Sequence, residues 1–243
     1  MAKISSIEGR ILYNSRGSKT VEVDITSDNQ FLGRVCAPSG ASVGKYEAVS
    51  FPNEKPEESL KILKENAQKF IGLESSDLKG IHDVLKELDG TTNYSVIGGG
   101  LAFAVTIASM ESASKASGEP LFRTLSSESS FKFPYPLGNI LGGGAHAGPG
   151  TPDIQEILIC ATGSKTIEHA IETNLSVHKE LRRVLEKEDH NFTNGRGDEG
   201  GWAPKLENQK ALEISAKACE NLGFTLGKEV SLGVDFASST QWN

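Results

Sequence analysis

The chain has 243 residues, room for one large domain or two ordinary ones, and its 37% hydrophobic and 23% charged content is that of a folded protein, not a disordered tail. A formal net charge of −7 argues against a broad nucleic-acid face, which draws on clustered Lys and Arg. No run approaches the ~20 apolar residues of a membrane span, and the N-terminus MAKISSIEGR lacks the apolar stretch of a secretory signal, so a cytoplasmic protein is expected. Cys36, Cys160 and Cys219 are widely spaced and form no Cys/His cluster, which predicts reduced, mostly buried thiols. In that setting the sequons at Asn93 and Asn191 carry no weight.

The first elements alternate. Val21, Val23 and Ile25 point one way and Glu22, Asp24 and Thr26 the other, the pattern of a half-buried strand. Runs near Ile4–Leu12 and Phe31–Ala37 also predict strands, with turns at Asn14–Ser18 and Ser27–Gln30, so a three-stranded antiparallel meander is expected. The period then changes. Leu60, Leu63, Ala67 and Phe70 recur at helical spacing after Pro56, and Leu78, Ile81, Leu85 and Leu88 repeat the pattern after Ser76-Asp77. A third helix, about Leu101–Ser117, is rich in alanine, which permits close packing. Residues 1–130 therefore predict an α+β domain.

Ser126–Phe133 is serine-rich and predicts a linker. Beyond it, a strand at Ile154–Cys160, helices near Thr166–Glu188 and Asn208–Leu222, and a strand at Val230–Phe236 predict an α/β domain, 131–243, with a parallel or mixed sheet. A closed α/β barrel takes about 250 residues and rarely under 200. Residues 138–243 supply 106. If this region begins a barrel, the expectation is a truncated one.

Several motifs carry chemistry or imitate it. Ser39-Gly-Ala-Ser-Val-Gly-Lys45 resembles a phosphate loop, but its glycines are one residue too close and Tyr46 takes the hydroxyl position, so nucleotide binding is not expected. Arg196-Gly-Asp198 is a chance tripeptide. His178, between Leu175 and Leu181 on a helix, reads as structural. His146 stands apart because Gly142, Gly143, Gly144, Gly148 and Gly150 surround it, letting backbone approach a ligand. Gln155-Glu156 sits in an apolar strand, Asp198-Glu199 in a turn before Gly-Gly-Trp-Ala-Pro, and Asp235 at the end of Leu232-Gly-Val-Asp. Acidic residues at three strand or loop ends, with a glycine-rich histidine loop, predict one site at the C-terminal rim of a sheet.

These residues carry a specific resemblance. Asn14-Ser-Arg-Gly17, Thr20–Val23, Pro38–Gly44, Leu88–Thr91, His146-Ala-Gly148, Gln155-Glu156, Gly197–Gly201, Ala203-Pro204 and Asp235 with Ala237-Ser-Ser239, all in order, are similar to the enolases, archaeal ones in particular. The resemblance implies a capping domain on an α/β barrel and the magnesium-dependent, reversible dehydration of 2-phosphoglycerate to phosphoenolpyruvate, a glycolytic and gluconeogenic step. It implies that Glu199 assists the leaving hydroxide and Glu156 pairs with it, that His146 closes on substrate, that Asp235 is a magnesium ligand, and that Ser42 binds a second magnesium and substrate from a mobile loop. Such sites remove a proton α to a carboxylate and stabilise the resulting charge with the metal.

The departures are Asn14 where the family usually has Asp, Ile97-Gly-Gly-Gly100 for Leu-Gly-Ala-Asn, and Thr240 for Glu. By the same resemblance the base lysine and two further metal carboxylates lie on sequence absent from these 243 residues. The expectation is a chain inactive alone, completed by the missing C-terminal half and a dimer or higher oligomer when whole. A split-gene enolase and a non-catalytic interaction module are the alternatives. An enolase-like enzyme for another acid is disfavoured by the Ser42 loop and the Glu156/Glu199 pair.

Overall fold

The computed structural model describes residues 2–40, 43–126 and 128–240; Ser42 and the side chain of Thr240 lie outside the described residues. The chain divides into two compact units, Met1–Ser130 and Phe131–Asn243.

In the first unit, β1 (Ile4–Tyr13), β2 (Lys19–Ser27) and β3 (Phe31–Cys36) pair antiparallel in the order β1-β2-β3. Val21, Val23 and Ile25 of the central strand are fully buried, as the alternation predicts. The opposite face is not open to solvent as the pattern alone implies, because Glu22 is also buried. Arg10 on β1 and Arg34 on β3 lie across Glu22 and Asp24, and Arg34 holds Asp24 through two 2.7 Å hydrogen bonds. These guanidiniums hold the Asp24 carboxyl below the usual range, against the opposing effect of its burial.

Four helices follow: α1 (Pro56–Asn66), α2 (Leu78–Asp89), α3 (Gly99–Ser117) and the short α4 (Leu121–Thr124). The helix predicted through Phe70 ends at Asn66 and tightens into a 3₁₀ turn, Ala67–Lys69, which leaves the Phe70 ring fully buried. Asp77 caps α2 by accepting the Gly80 N–H at 3.0 Å. The small residues of α3 serve as predicted. Ala104, Ala108 and Ser112 are buried against the sheet, and the Ser112 hydroxyl donates to the Phe31 carbonyl of β3 at 2.7 Å.

The second unit contains β4 (Leu137–Gly142), β5 (Glu156–Cys160), α5 (Ile167–Glu188), α6 (Asn208–Asn221) and β6 (Ser231–Asp235). Strand β4 was not predicted, because Gly138, Asn139 and the following glycines hide its apolar residues Ile140 and Leu141, both buried. The sheet order is β4-β5-β6 and both pairings are antiparallel, so the described strands contain none of the expected adjacent parallel pairs. The connections explain this. Residues 143–155 hold no crossover helix between β4 and β5, and two helices between β5 and β6 return the chain in the opposite sense.

The thiols depart from expectation in burial. Cys219 is buried and its pKa is pushed up to about 11 by that burial, whereas Cys36 is exposed on β3 and donates to Glu22 at 3.1 Å. No described helix is long and apolar enough to cross a membrane.

Candidate active site

The antiparallel register sets the geometry. Glu156 opens β5 and pairs on one side with Gly142, the last residue of β4, and on the other with Asp235, the last of β6. The acidic residues thus meet at one edge of the sheet, but the sequence reading of a common C-terminal rim needs correction. Glu156 lies at the N-terminal end of its strand, brought there because β5 runs against its neighbours.

After β4 the chain turns through a 3₁₀ segment, Gly144–His146, that buries the His146 side chain. Its Nδ1 lies 3.6 Å from Glu156 Oε1, 3.6 Å from Glu199 Oε1 and 3.8 Å from Asp198 Oδ1. Neither ring nitrogen has a hydrogen-bond partner among the described residues. One imidazole therefore faces three carboxylates, with a fourth, Asp235, in register beside Glu156. The surplus of negative charge has a direct effect. Hydrogen bonding with Glu199, then burial, then the charges of Glu199, Asp235 and Asp198 push the Glu156 carboxyl up to about 7. Carboxyl groups this close do not all ionise cheaply together, which favours a retained proton in the cluster.

The Asp198-Glu199 turn is held from behind. Gly197 N–H donates to Gly201 C=O at 2.9 Å, and the Trp202 backbone exchanges hydrogen bonds with β4, accepting from Gly142 at 2.9 Å and donating to Ile140 at 3.1 Å. The His178 ring stacks on Trp202 with centroids 4.7 Å apart, and its Nε2 lies 3.0 Å from the Gly200 carbonyl. Burial lowers the pKa of this imidazole, so the neutral ring donates Nε2–H to that carbonyl. Asn139 on β4 donates to Glu199 Oε2 at 3.4 Å. Gly201 leaves room for it, since a Cβ there would sit 2.2 Å from Asn139 Oδ1.

The structure thus gathers His146, Glu156, Glu199 and Asp235 at one edge. Sequence reasoning passed over Asp198 as an individual residue, and missed Asn139 and the support from His178. A histidine 24 residues before a tryptophan gives no sign of stacking on it, and Asn139 falls in a glycine-interrupted strand that the sequence does not announce. Ser42 is outside the described residues, so nothing places it here.

His146, Asp198 and Glu199 present ligand atoms within 4.8 Å of one another and could hold a cation. Two family models cover the chain: "Enolase, N-terminal domain" matches residues 4–125 and "Enolase, C-terminal TIM barrel domain" matches residues 130–243. The chain belongs to the enolase family. The enolases of Methanosphaera stadtmanae and Methanothermobacter thermautotrophicus are each 43% identical to it over 241 residues, covering 99% of this chain and 58% of their own length. The enolase of Archaeoglobus fulgidus is 36% identical over 240 residues, with 99% and 58% covered. The chain spans 58% of the length of these curated enolases. Its two matched regions are the enolase capping domain, built on a three-stranded antiparallel sheet with helices, and part of the enolase barrel domain.

Proposed function

We propose that this chain supplies the capping domain and the first acidic edge of an enolase site, for the magnesium-dependent dehydration of 2-phospho-D-glycerate to phosphoenolpyruvate. The observation that carries the reading is the cluster of Glu156, Asp198 and Glu199 around the buried His146, with Asp235 in register beside Glu156 and the Glu156 carboxyl pushed up to about 7. The reaction expels hydroxide, which leaves only with a proton. A Glu156/Glu199 pair sharing one proton holds it ready to donate, and Glu199, hydrogen-bonded to Asn139, faces the more open side at 40% exposure. His146, buried with both nitrogens unpartnered, has donor and acceptor capacity to offer a substrate oxygen.

The donor set fits a hard divalent cation in charge, since carboxylate oxygen surrounds one imidazole. Asp235, with Oδ1 accepting the Ala237 N–H at 2.9 Å, would be one magnesium ligand. The cluster of His146, Asp198 and Glu199 includes a nitrogen donor, which suits magnesium poorly, so we assign it to substrate and proton handling. Bound magnesium would neutralise the charge that develops on the substrate carboxylate. One carboxylate does not hold this ion well, so the chain alone is expected to be inactive and to require the remaining barrel. The whole protein would be cytoplasmic and oligomeric, a dimer or larger.

The test is the absorbance rise of phosphoenolpyruvate on adding 2-phosphoglycerate and magnesium, first to this chain and then to this chain mixed with the C-terminal part of an enolase. Activity in the mixture that disappears in Glu199→Gln is the expected result. Activity in the lone chain would overturn the assigned roles, and silence in both would favour a non-catalytic interaction module.

A further inference from the structure

A cation-lined pocket lies behind the acidic turn, on geometry independent of the enolase reading. In a chain of net charge −7, one pocket of the second unit gathers Lys179, Arg182, Arg183 and Arg196 against a single carboxylate, Glu186. The cavity is about 600 Å³, within the ordinary range for a small ligand. Three of the cations project from the last turns of α5 and the fourth from the segment that enters the Asp198-Glu199 turn.

The cations are only partly satisfied within the protein. Arg182 gives its Nε–H to Glu186 at 2.9 Å, which leaves its terminal amino groups, and Arg183 gives Nη1 to Glu180 at 3.2 Å. Lys179 makes no ion pair among the described residues. Arg196 lies over the Trp202 ring, 4.4 Å from its centroid, with Arg182 at 5.9 Å. The indole is already engaged by Arg196, by the stacked His178 and by the edge-on Phe192, so it is not available to stack a base. What remains open is charge and N–H donors. A carboxylate offers two oxygens and one charge; a phosphate offers three terminal oxygens and nearly two charges, which matches the two cations, Lys179 and Arg196, left over once Glu186 and Glu180 have paired Arg182 and Arg183.

We propose that this pocket binds a phosphate group, as the free ion or as a phosphomonoester. Arg196 pairs in a short antiparallel bridge with Trp202 across the acidic turn. An anion joining Arg196 to Arg182 ties the base of that turn to α5, so occupancy braces Asp198 and Glu199.

The experiment uses the full chain carrying Trp242→Phe, so that Trp202 alone reports. Inorganic phosphate and glycerol 3-phosphate are titrated at constant ionic strength, with emission and calorimetry as parallel readouts. Saturable binding near about 1 mM is expected for at least one of them, the tighter one naming the source. Arg196→Gln and Arg182→Gln should each weaken it about tenfold, and Lys179→Gln, which breaks no ion pair among the described residues, should weaken it without altering the fold. Glu199→Gln should leave binding in place, which separates this pocket from the acidic cluster. Absence of saturation with both ligands would overturn the proposal. So would calorimetric binding unchanged by Lys179→Gln and the Arg182→Gln, Arg196→Gln pair.

Discussion

Trp202 donates its indole N–H to the backbone carbonyl of His178 at 2.9 Å, while the His178 imidazole stacks on that same indole. Each residue thus fixes the other, and together they join α5 to the turn that carries Asp198 and Glu199. Trp202→Phe keeps an aromatic ring but removes the indole N–H bond to the His178 carbonyl, which lies inside α5 and keeps its helical bond. It should destabilise the second unit by about 1–2 kcal/mol, read by chemical denaturation, and His178→Ala should loosen the turn, read as faster amide exchange at Gly200 and Gly201.

The carboxyl of Glu156 should titrate near 7 in the metal-free chain, by carboxyl carbon NMR, well above its ordinary 4.5. The folded state then holds a proton that the unfolded chain releases earlier. Stability consequently falls as pH rises from about 4.5 to about 7 and is level above that, by up to about 3 kcal/mol. Glu199→Gln removes the largest cause, so it should bring Glu156 back toward the usual range and flatten that slope. An unchanged Glu156 titration in the variant would refute the pairing.

Asp89 should behave in the opposite sense. Its burial alone would raise its pKa, but hydrogen bonds from the Thr91 hydroxyl and the amides of Ile97, Thr91 and Val96 outweigh this and hold it below the usual carboxylate range. This stabilisation is complete above the unfolded pKa and is lost as pH falls through the lower folded value. Asp89→Ala should cost about 2–3 kcal/mol at pH 7 and make the acid limb of unfolding shallower.

Gly100 packs closely against Phe51. A Cβ at Gly100 would lie 2.7 Å from Phe51 Cε1, while Phe51 itself is buried. Alanine ordinarily strengthens a helix by up to about 1 kcal/mol over glycine. Here overpacking should win, and Gly100→Ala should lower stability by about 1–3 kcal/mol. A double-mutant cycle with Phe51→Leu should show about 1 kcal/mol of coupling, and additivity would count against the contact.

Elements whose signal is local were legible. Val21, Val23 and Ile25 declare β2 by alternation, and the helix expected from about Thr166 starts at Ile167, with Thr166 capping it by accepting the His169 N–H at 3.2 Å. Strand β4 is illegible because Gly138, Asn139 and Gly142 disguise it; Asn139 reaches Glu199, and the room for its side chain comes from Gly201 in the acidic turn. His178 was read as structural from its apolar neighbours, and so it is, yet what it supports is the acidic turn.

The sequence by itself determined the family, the order and type of most elements, and the identity of the acidic and histidine residues that stand out from apolar surroundings. Each of those rests on information within a few residues, or on the ordered run of motifs. Only the tertiary structure decided that β5 runs against both neighbours, that Glu156 therefore meets Asp235 and His146, and that four cations converge behind Trp202. These depend on contacts between residues from 10 positions apart (His146 and Glu156) to 79 (Glu156 and Asp235). Side-chain charge is written in the sequence, but the pKa and affinity it produces depend on distance and burial, which exist only once the chain has folded.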